Sequence, residues 1–264
     1  MTSVTSADGT RIAVESTGTG PPLVFVVGAF CERDTTRELA GLLSDRFTVS
    51  AYDRRGRGDS GNTLPYAVER EYEDLAAVCA YAGGSPGVYG HSSGAILVAR
   101  AVIEGLPVSR LALYDPPWSE TSDGDGNATR SRDIEAAVAD GRPGDAAAIF
   151  LAVAGMPAGA LAGMRQSPDW GHFERLAPTL PYDLAQTGDL GVPVEGLAGI
   201  DVPVLLLNGS DSPPFFATVA GRAAAAIPGS AYRVVEGQGH GVEHAAIAPV
   251  LAGFFAPAGD GGAG

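Results

Sequence analysis

The chain predicts an α/β fold, with a mostly parallel central sheet flanked by helices and a helical cap inserted over it. Three observations predict this. Short apolar runs alternate with longer stretches of helical spacing, the pattern of repeated βα units. The run at residues 23–27 is continuously apolar, as a strand covered on both faces must be. A glycine-flanked turn, Gly90-His91-Ser92-Ser93-Gly94, joins one short run directly to an apolar helix.

The elements follow in order. Residues 10–15 read as a strand after the Asp8-Gly9 turn, followed by buried strands at 23–27 and 47–52. Residues 68–82 have helical spacing, with Leu75, Val78 and Cys79 on one side. A short strand at 87–89 leads into an apolar helix at 95–103. Strands at 110–114, 204–207 and 232–236 and helices at 215–227 and 243–255 complete the alternation. From Ser119 to about residue 194 the alternation breaks, beginning with a polar loop at 120–132 and continuing as short helices separated by Gly and Pro. The division is therefore residues 1–118 and 195–264 as core and 119–194 as cap.

A length of 264 residues suits one large domain, and a hydrophobic content of 45% supplies its core. The net charge of −14 disfavours nucleic acid and anionic membrane surfaces as partners. No apolar stretch reaches the ~18 residues of a membrane span. The first residues lack a basic start followed by an apolar run, so no signal peptide is expected and the cytoplasm is the default location. The Gly-rich tail at 259–264 is expected to fray. Cys31 and Cys79 do not make a disulfide framework. All 17 basic residues are arginine, which excludes a Schiff-base or P-loop lysine. No His/Cys/carboxylate cluster has metal-ligand spacing, so neither metal nor cofactor is expected.

The turn at Ser92 carries the chemistry. Between a strand and a helix, Gly-x-Ser-x-Gly forms a sharp elbow whose glycines relieve crowding around the serine. Ser92 then projects at a helix N-terminus, where the helix dipole favours developing negative charge. A neutral hydroxyl needs a base. Of the four histidines, His91 sits inside the elbow, His172 lies in the cap and His244 opens the last helix. His240, in the glycine-rich loop after the last strand, follows the serine in the expected chain order. Two backbone N–H groups are needed for an oxyanion hole; Ser93 supplies one, and Ala29 in Gly28-Ala29-Phe30 the other, with Phe30 as the alternative donor. The Phe30 ring, Trp118, Trp170 and Phe173 are candidate pocket walls, and Met156, Met164 and Tyr182 add apolar cap surface.

These segments, with the loop Tyr52-Asp53-Arg54-Arg55-Gly56-Arg57-Gly58-Asp59-Ser60, resemble the α/β-hydrolase superfamily in order and over nearly the whole chain. One departure is Val27-Gly28 where the family usually has His-Gly. The family segment matching residues 53–60 buttresses the active site; here its arginines and aspartates are read as pairing with each other on the surface. Two aspartates compete for the acid of the triad. Asp211 follows the strand that usually carries it, but one residue short of the common spacing. Asp115 stands directly at the end of the strand after the elbow helix, where some members, including the zearalenone lactone hydrolases, place a carboxylate. Pro116 and Pro117 have no N–H with which to satisfy Asp115 locally, whereas Asp211 sits among turn-forming residues. Asp115 is the assignment and Asp211 the alternative.

The resemblance implies hydrolysis of a carboxylic ester or lactone through an acyl-enzyme, by an esterase or lactonase acting as monomer or homodimer on a small, largely apolar substrate. Thioester cleavage, C–C bond hydrolysis and a cofactor-free lyase step use the same triad and remain alternatives, as does a non-catalytic ligand-binding module. Epoxide and haloalkane hydrolases are disfavoured because their nucleophile is an aspartate.

Overall fold

The computed structural model describes residues 2–119, 124–188 and 191–257. Eight strands form one sheet: β1 (Thr2–Thr5), β2 (Arg11–Thr17), β3 (Pro22–Val26), β4 (Thr48–Tyr52), β5 (Gly87–His91), β6 (Arg110–Tyr114), β7 (Val204–Gly209) and β8 (Ala231–Val235), in the order β1-β2-β4-β3-β5-β6-β7-β8. β1 and β2 pair antiparallel and β2 runs antiparallel to β4; β4, β3, β5, β6, β7 and β8 are mutually parallel. The six parallel strands therefore end on one edge, and the loops leaving that edge meet.

In chain order α1 (Arg37–Leu43), α2 (Val68–Tyr81) and α3 (Ser93–Ile103) precede the helices inserted between β6 and β7, α4 (Gly124–Ala139), α5 (Pro143–Val153), α6 (Ala158–Met164), α7 (Trp170–Leu176), α8 (Leu180–Thr187) and α9 (Val194–Leu197); α10 (Pro214–Ala226) and α11 (His244–Phe255) follow. Strand alternation explains the two layers. Val24 and Val26 of β3 face one side, where they join Leu75 and Val78 of α2, Ile96 and Leu97 of α3 and Val219 of α10. Leu23 and Phe25 face the other, against Leu39 and Leu43 of α1 and Ile247, Leu251 and Phe255 of α11. A third apolar cluster lies among these inserted helices, where Ile134, Ala147, Leu151, Trp170, Leu176 and Leu180 pack with Phe30.

Three readings from sequence are corrected or completed. Residues 124–132, expected as polar loop, belong to helix α4; its buried contacts are Ile134 and Ala137, one turn apart, while its earlier residues are too polar to show a period. Residues 120–123 and the tail at 259–264 lie outside the described residues. β1 and α1 were not anticipated. β1 is an exposed edge strand without a buried face, and α1 is only seven residues long, burying Leu39, Ala40 and Leu43.

Gly94 fixes how closely α3 approaches the sheet. A Cβ there would lie 2.4 Å from the Val26 carbonyl oxygen and 2.7 Å from that of Val27, both backbone atoms that cannot swing away. Gly94→Ala should cost about 1–3 kcal/mol and lower Tm by ~3–10 °C. Gly221→Ala, on α10 with open space around it, should be neutral or stabilising by up to about 1 kcal/mol. Thermal denaturation followed by circular dichroism reads both, and equal Tm values for the two variants would contradict this account.

Candidate active site

The loops at the carboxyl edge of the sheet bring the site together. Among the described residues, the only non-glycine positions with positive φ are Phe30 (57°), Ser92 (56°) and Asp115 (44°), which follow β3, β5 and β6. Ser92, at φ 56° and ψ −130°, forms the elbow between β5 and α3. Gly28 packs directly on it: a Cβ at Gly28 would fall 2.8 Å from Ser92 Cβ and 3.2 Å from Ser92 Oγ. No larger residue at 28 would let the β3 loop approach the serine so closely.

His240 lies between Ser92 and Asp115. Its Nε2 is 3.0 Å from Ser92 Oγ and its Nδ1 is 3.1 Å from Asp115 Oδ2. Asp115 is fully buried, and the Ser212 hydroxyl donates to the same Oδ2 at 2.6 Å. Its Oδ1 is buried and accepts no hydrogen bond from a described residue. The histidine loop is itself pinned. Tyr114 Oη donates to the Gly239 carbonyl at 2.7 Å, and His91 Nε2 to the His240 carbonyl at 2.8 Å. Because a carbonyl only accepts, the His91 proton sits on Nε2. Burial, reinforced by the neighbouring His240, depresses the His91 pKa to about 4. Phe216 stacks on the His240 ring at 4.9 Å and 17°, limiting its rotation.

The other candidates lie apart from this triplet. Asp211 is exposed, receives a hydrogen bond from the Ser210 hydroxyl and gives its N–H to the Gln238 carbonyl; among the described residues no hydrogen bond joins it to His240. His244 pairs with Glu38 and His172 donates to the Phe30 carbonyl. Phe30 meets Phe150 and Phe173 edge-on at 5.4 and 5.0 Å, linking the β3 loop to the cap. Trp118, expected as a pocket wall, is 1% exposed and packs inside the α2–α3 side of the core. Trp170 is also buried, held by Glu174 within the cap's own cluster. Large apolar residues near a site mark burial, and burial alone does not say which of them faces a ligand. A cavity of about 320 Å³ lined by Tyr72, Arg100, Ile103 and Pro193 shares no residue with the triplet.

The loop at 53–60 departs furthest from expectation. Its arginines are not paired on the surface; Arg54, Arg55 and Arg57 are each 1% exposed. Arg55 is bidentate to Asp74 at 2.7 Å. Arg54 is bidentate to Glu71 at 2.6 and 2.8 Å and reaches Asp183 of α8 at 2.7 Å. Arg57 meets the other Asp183 oxygen at 2.6 Å and donates to the Gly28 carbonyl at 2.6 Å. Ser93 Oγ donates to Asp183 as well, at 2.7 Å. Burial alone would raise the Asp183 carboxyl; the Arg57 and Arg54 guanidiniums hold it below its ordinary value. Burial likewise opposes the Glu71 charge, and Arg54 restores it. Asp183, Glu71 and Ser212 were missed in the sequence, and the Ser212-Pro213-Pro214 step beside Asp211 was the one local cue to any of them.

Among the described residues, no group of three or more His, Cys, Asp or Glu is arranged to hold a metal ion, and no helix is long and apolar enough to cross a membrane.

Residues 23–252 match the model of an Alpha/beta hydrolase family. The crystal structure of an alpha/beta hydrolase from Sphaerobacter thermophilus is similar to this chain at 45% identity and a TM-score of 0.90, covering 97% of this chain and 100% of that one. A thermophilic esterase from Thermogutta terrifontis shares the fold at 22% identity and TM-score 0.73, covering 97% and 99%. A non-heme haloperoxidase of Rhodococcus erythropolis is 36% identical over 105 residues, which is 39% of this chain and only 38% of that relative's length.

His91 generates a pH prediction. Its folded pKa of about 4 lies below the ordinary 6.5, so folding favours the neutral ring. The stability this contributes is fully present above pH ~6.5 and is lost as pH falls towards 4, by on the order of 2–3 kcal/mol. His91→Gln keeps an amide donor for the His240 carbonyl but does not titrate. Urea denaturation between pH 7 and 4 should show a shallower decline for the variant than for the wild type. Parallel declines would refute the assignment.

Proposed function

The chain belongs to the Alpha/beta hydrolase family, and from that premise we propose that it is a serine hydrolase cleaving a carboxylic ester or lactone through an acyl-enzyme. One observation carries the reading: a single imidazole lies 3.0 Å from the elbow hydroxyl and 3.1 Å from a fully buried carboxylate. In this reading Ser92 Oγ attacks the carbonyl carbon while His240 Nε2 takes its proton, then returns it to the leaving alcohol. Water repeats the sequence on the acyl-enzyme and releases the carboxylic acid. Asp115 fixes the His240 tautomer through Nδ1–H and stabilises the imidazolium. That role suits a carboxylate whose remaining oxygen has no other donor among the described residues.

Negative charge developing on the carbonyl oxygen is received by the Ala29 and Ser93 N–H groups. Support comes from the contact of Gly28 with Ser92, and from the fact that neither N–H is engaged among the described residues. The Phe30, Phe150 and Phe173 rings favour a small, largely apolar acyl or alcohol part, with residues 119–194 acting as the cap. We further propose action in the cytoplasm as a monomer or homodimer.

Two measurements test this. A fluorophosphonate should label the wild type at Ser92 and leave Ser92→Ala unlabelled, with ester turnover lost and Tm within about 2 °C of the wild type, since the change removes one part-buried hydrogen bond and leaves no large void; turnover retained in Ser92→Ala would end the proposal. Asp115→Asn should lower kcat by ~10⁴, the loss seen when a triad acid becomes an amide. Asp211→Asn should change kcat less than about threefold, and the opposite ranking on one aryl ester would transfer the role to Asp211.

A further inference from the structure

Two of the three buried arginines of the 53–60 loop, Arg54 and Arg57, reach the backbone beside Ser92. Arg54, Arg57, Glu71 and Asp183 form a neutral quartet, each no more than 2% exposed. Three of its outward contacts reach the two segments beside Ser92. Arg57 Nη1 donates to the Gly28 carbonyl at 2.6 Å, and Arg54 Nη1 to that of Val27 at 3.4 Å. Asp183 holds the side chain of Ser93 at 2.7 Å.

The Gly28 carbonyl and the Ala29 N–H belong to one peptide group. In a trans peptide they point in opposite directions, so whatever grips the oxygen also aims the hydrogen. A guanidinium donor is charged and planar, and its short bond both fixes the plane of that peptide and draws electron density towards the oxygen. The N–H on the other side becomes a better donor as a result. Arg57 is held in place from three sides: Asp183 on Nη2, Gly28 on Nη1 and Thr179 on Nε at 3.2 Å. Asp183 meanwhile orients Ser93, the residue carrying the second N–H.

We propose that Arg57 is a positioning residue that aims and polarises the Ala29 N–H, and that Asp183, supplied by the cap, holds both halves of the oxyanion hole through Arg57 and Ser93. This rests on the serine-hydrolase reading. The donors matter most when the carbonyl oxygen is negative, so loosening them lowers kcat and leaves KM nearly unchanged.

The test uses the full chain and four variants: Arg57→Met, which removes the donor; Arg57→Lys, which keeps charge and a donor; Asp183→Asn, which keeps shape; and Arg55→Met, which breaks the Asp74 pair of the same loop without touching Val27 or Gly28. The readouts are kcat and KM on an aryl ester, Tm, and Ki for a trifluoromethyl ketone, whose adduct with Ser92 carries an oxyanion. Arg57→Met should lose ~10²–10³ in kcat, the range for one oxyanion donor, with Ki weakened by a similar factor. Arg57→Lys should recover part of both, and Asp183→Asn should lose about 10-fold or more. Arg55→Met should lower Tm while leaving kcat and Ki of the folded enzyme within about twofold. If Arg57→Met does not fold, Arg57→Lys and Asp183→Asn carry the comparison. Folded variants at Arg57 and Asp183 with wild-type kcat and Ki, or an equal loss in Arg55→Met, would overturn the proposal. Failure of the wild type to label with fluorophosphonate at Ser92 would overturn it too, but by removing the reading beneath it.

Discussion

The structure turns on four charges taken out of water together. A lone carboxylate or guanidinium at the depth of Asp183 or Arg57 would be prohibitively costly to bury. Here each charge has an opposite partner and most of its hydrogen-bonding capacity used. Such a set adds little net stability over an apolar core of the same volume, yet removing one member leaves an uncompensated charge at a cost of about 3–5 kcal/mol. What the quartet supplies is therefore a unique arrangement. It ties the loop after β4 (Arg54, Arg57), the first turn of α2 (Glu71) and the cap helix α8 (Asp183) to the loop after β3 and to the elbow.

A second constraint is local. Phe30, Ser92 and Asp115 all adopt positive φ without being glycine, Ser92 and Asp115 directly after β5 and β6 and Phe30 in the loop after β3. Such conformations cost on the order of 1–3 kcal/mol apiece and persist only where surrounding packing dictates them. Gly28 and Gly94 show that packing, since each lies too close to neighbouring atoms for a Cβ. The strain is thus stored where three strand ends turn away from the sheet, and the rigid sheet beneath bears it.

Much of this was legible in the sequence, for physical reasons. Buried parallel strands are continuously apolar, so the sheet could be read directly. Ser92 and Asp115 stand directly past strand ends, where the sheet sets their direction, and His240 follows in the loop after the last strand; the structure brings these three candidates within hydrogen-bond distance. The quartet was not readable, because Arg54 and Asp183 are 129 positions apart and an arginine-rich turn looks the same whether solvated or buried. Trp118 and Trp170 illustrate a related limit. Hydrophobicity says that a ring will be covered but not whether protein or ligand covers it. The polar first half of α4 has the composition of a loop, and its helical state depends on packing by Ile134 and Ala137.

The attachment of α8 also makes that helix costly to lift. Lifting that helix would pull Asp183 away from two guanidiniums and a hydroxyl, and would part the stacked rings of Tyr66 and Tyr182, 3.8 Å apart. An opening of that kind costs several kcal/mol and is populated well below one molecule in a hundred. The α5–α7 side meets the β3 loop through the Phe150 and Phe173 rings on Phe30, a hydrogen bond from His172 to the Phe30 carbonyl and an ion pair of Arg175 with Glu32. The two ends of these inserted helices are thus fastened differently, by a buried set of charges at α8 and by rings and partly exposed polar contacts at α7.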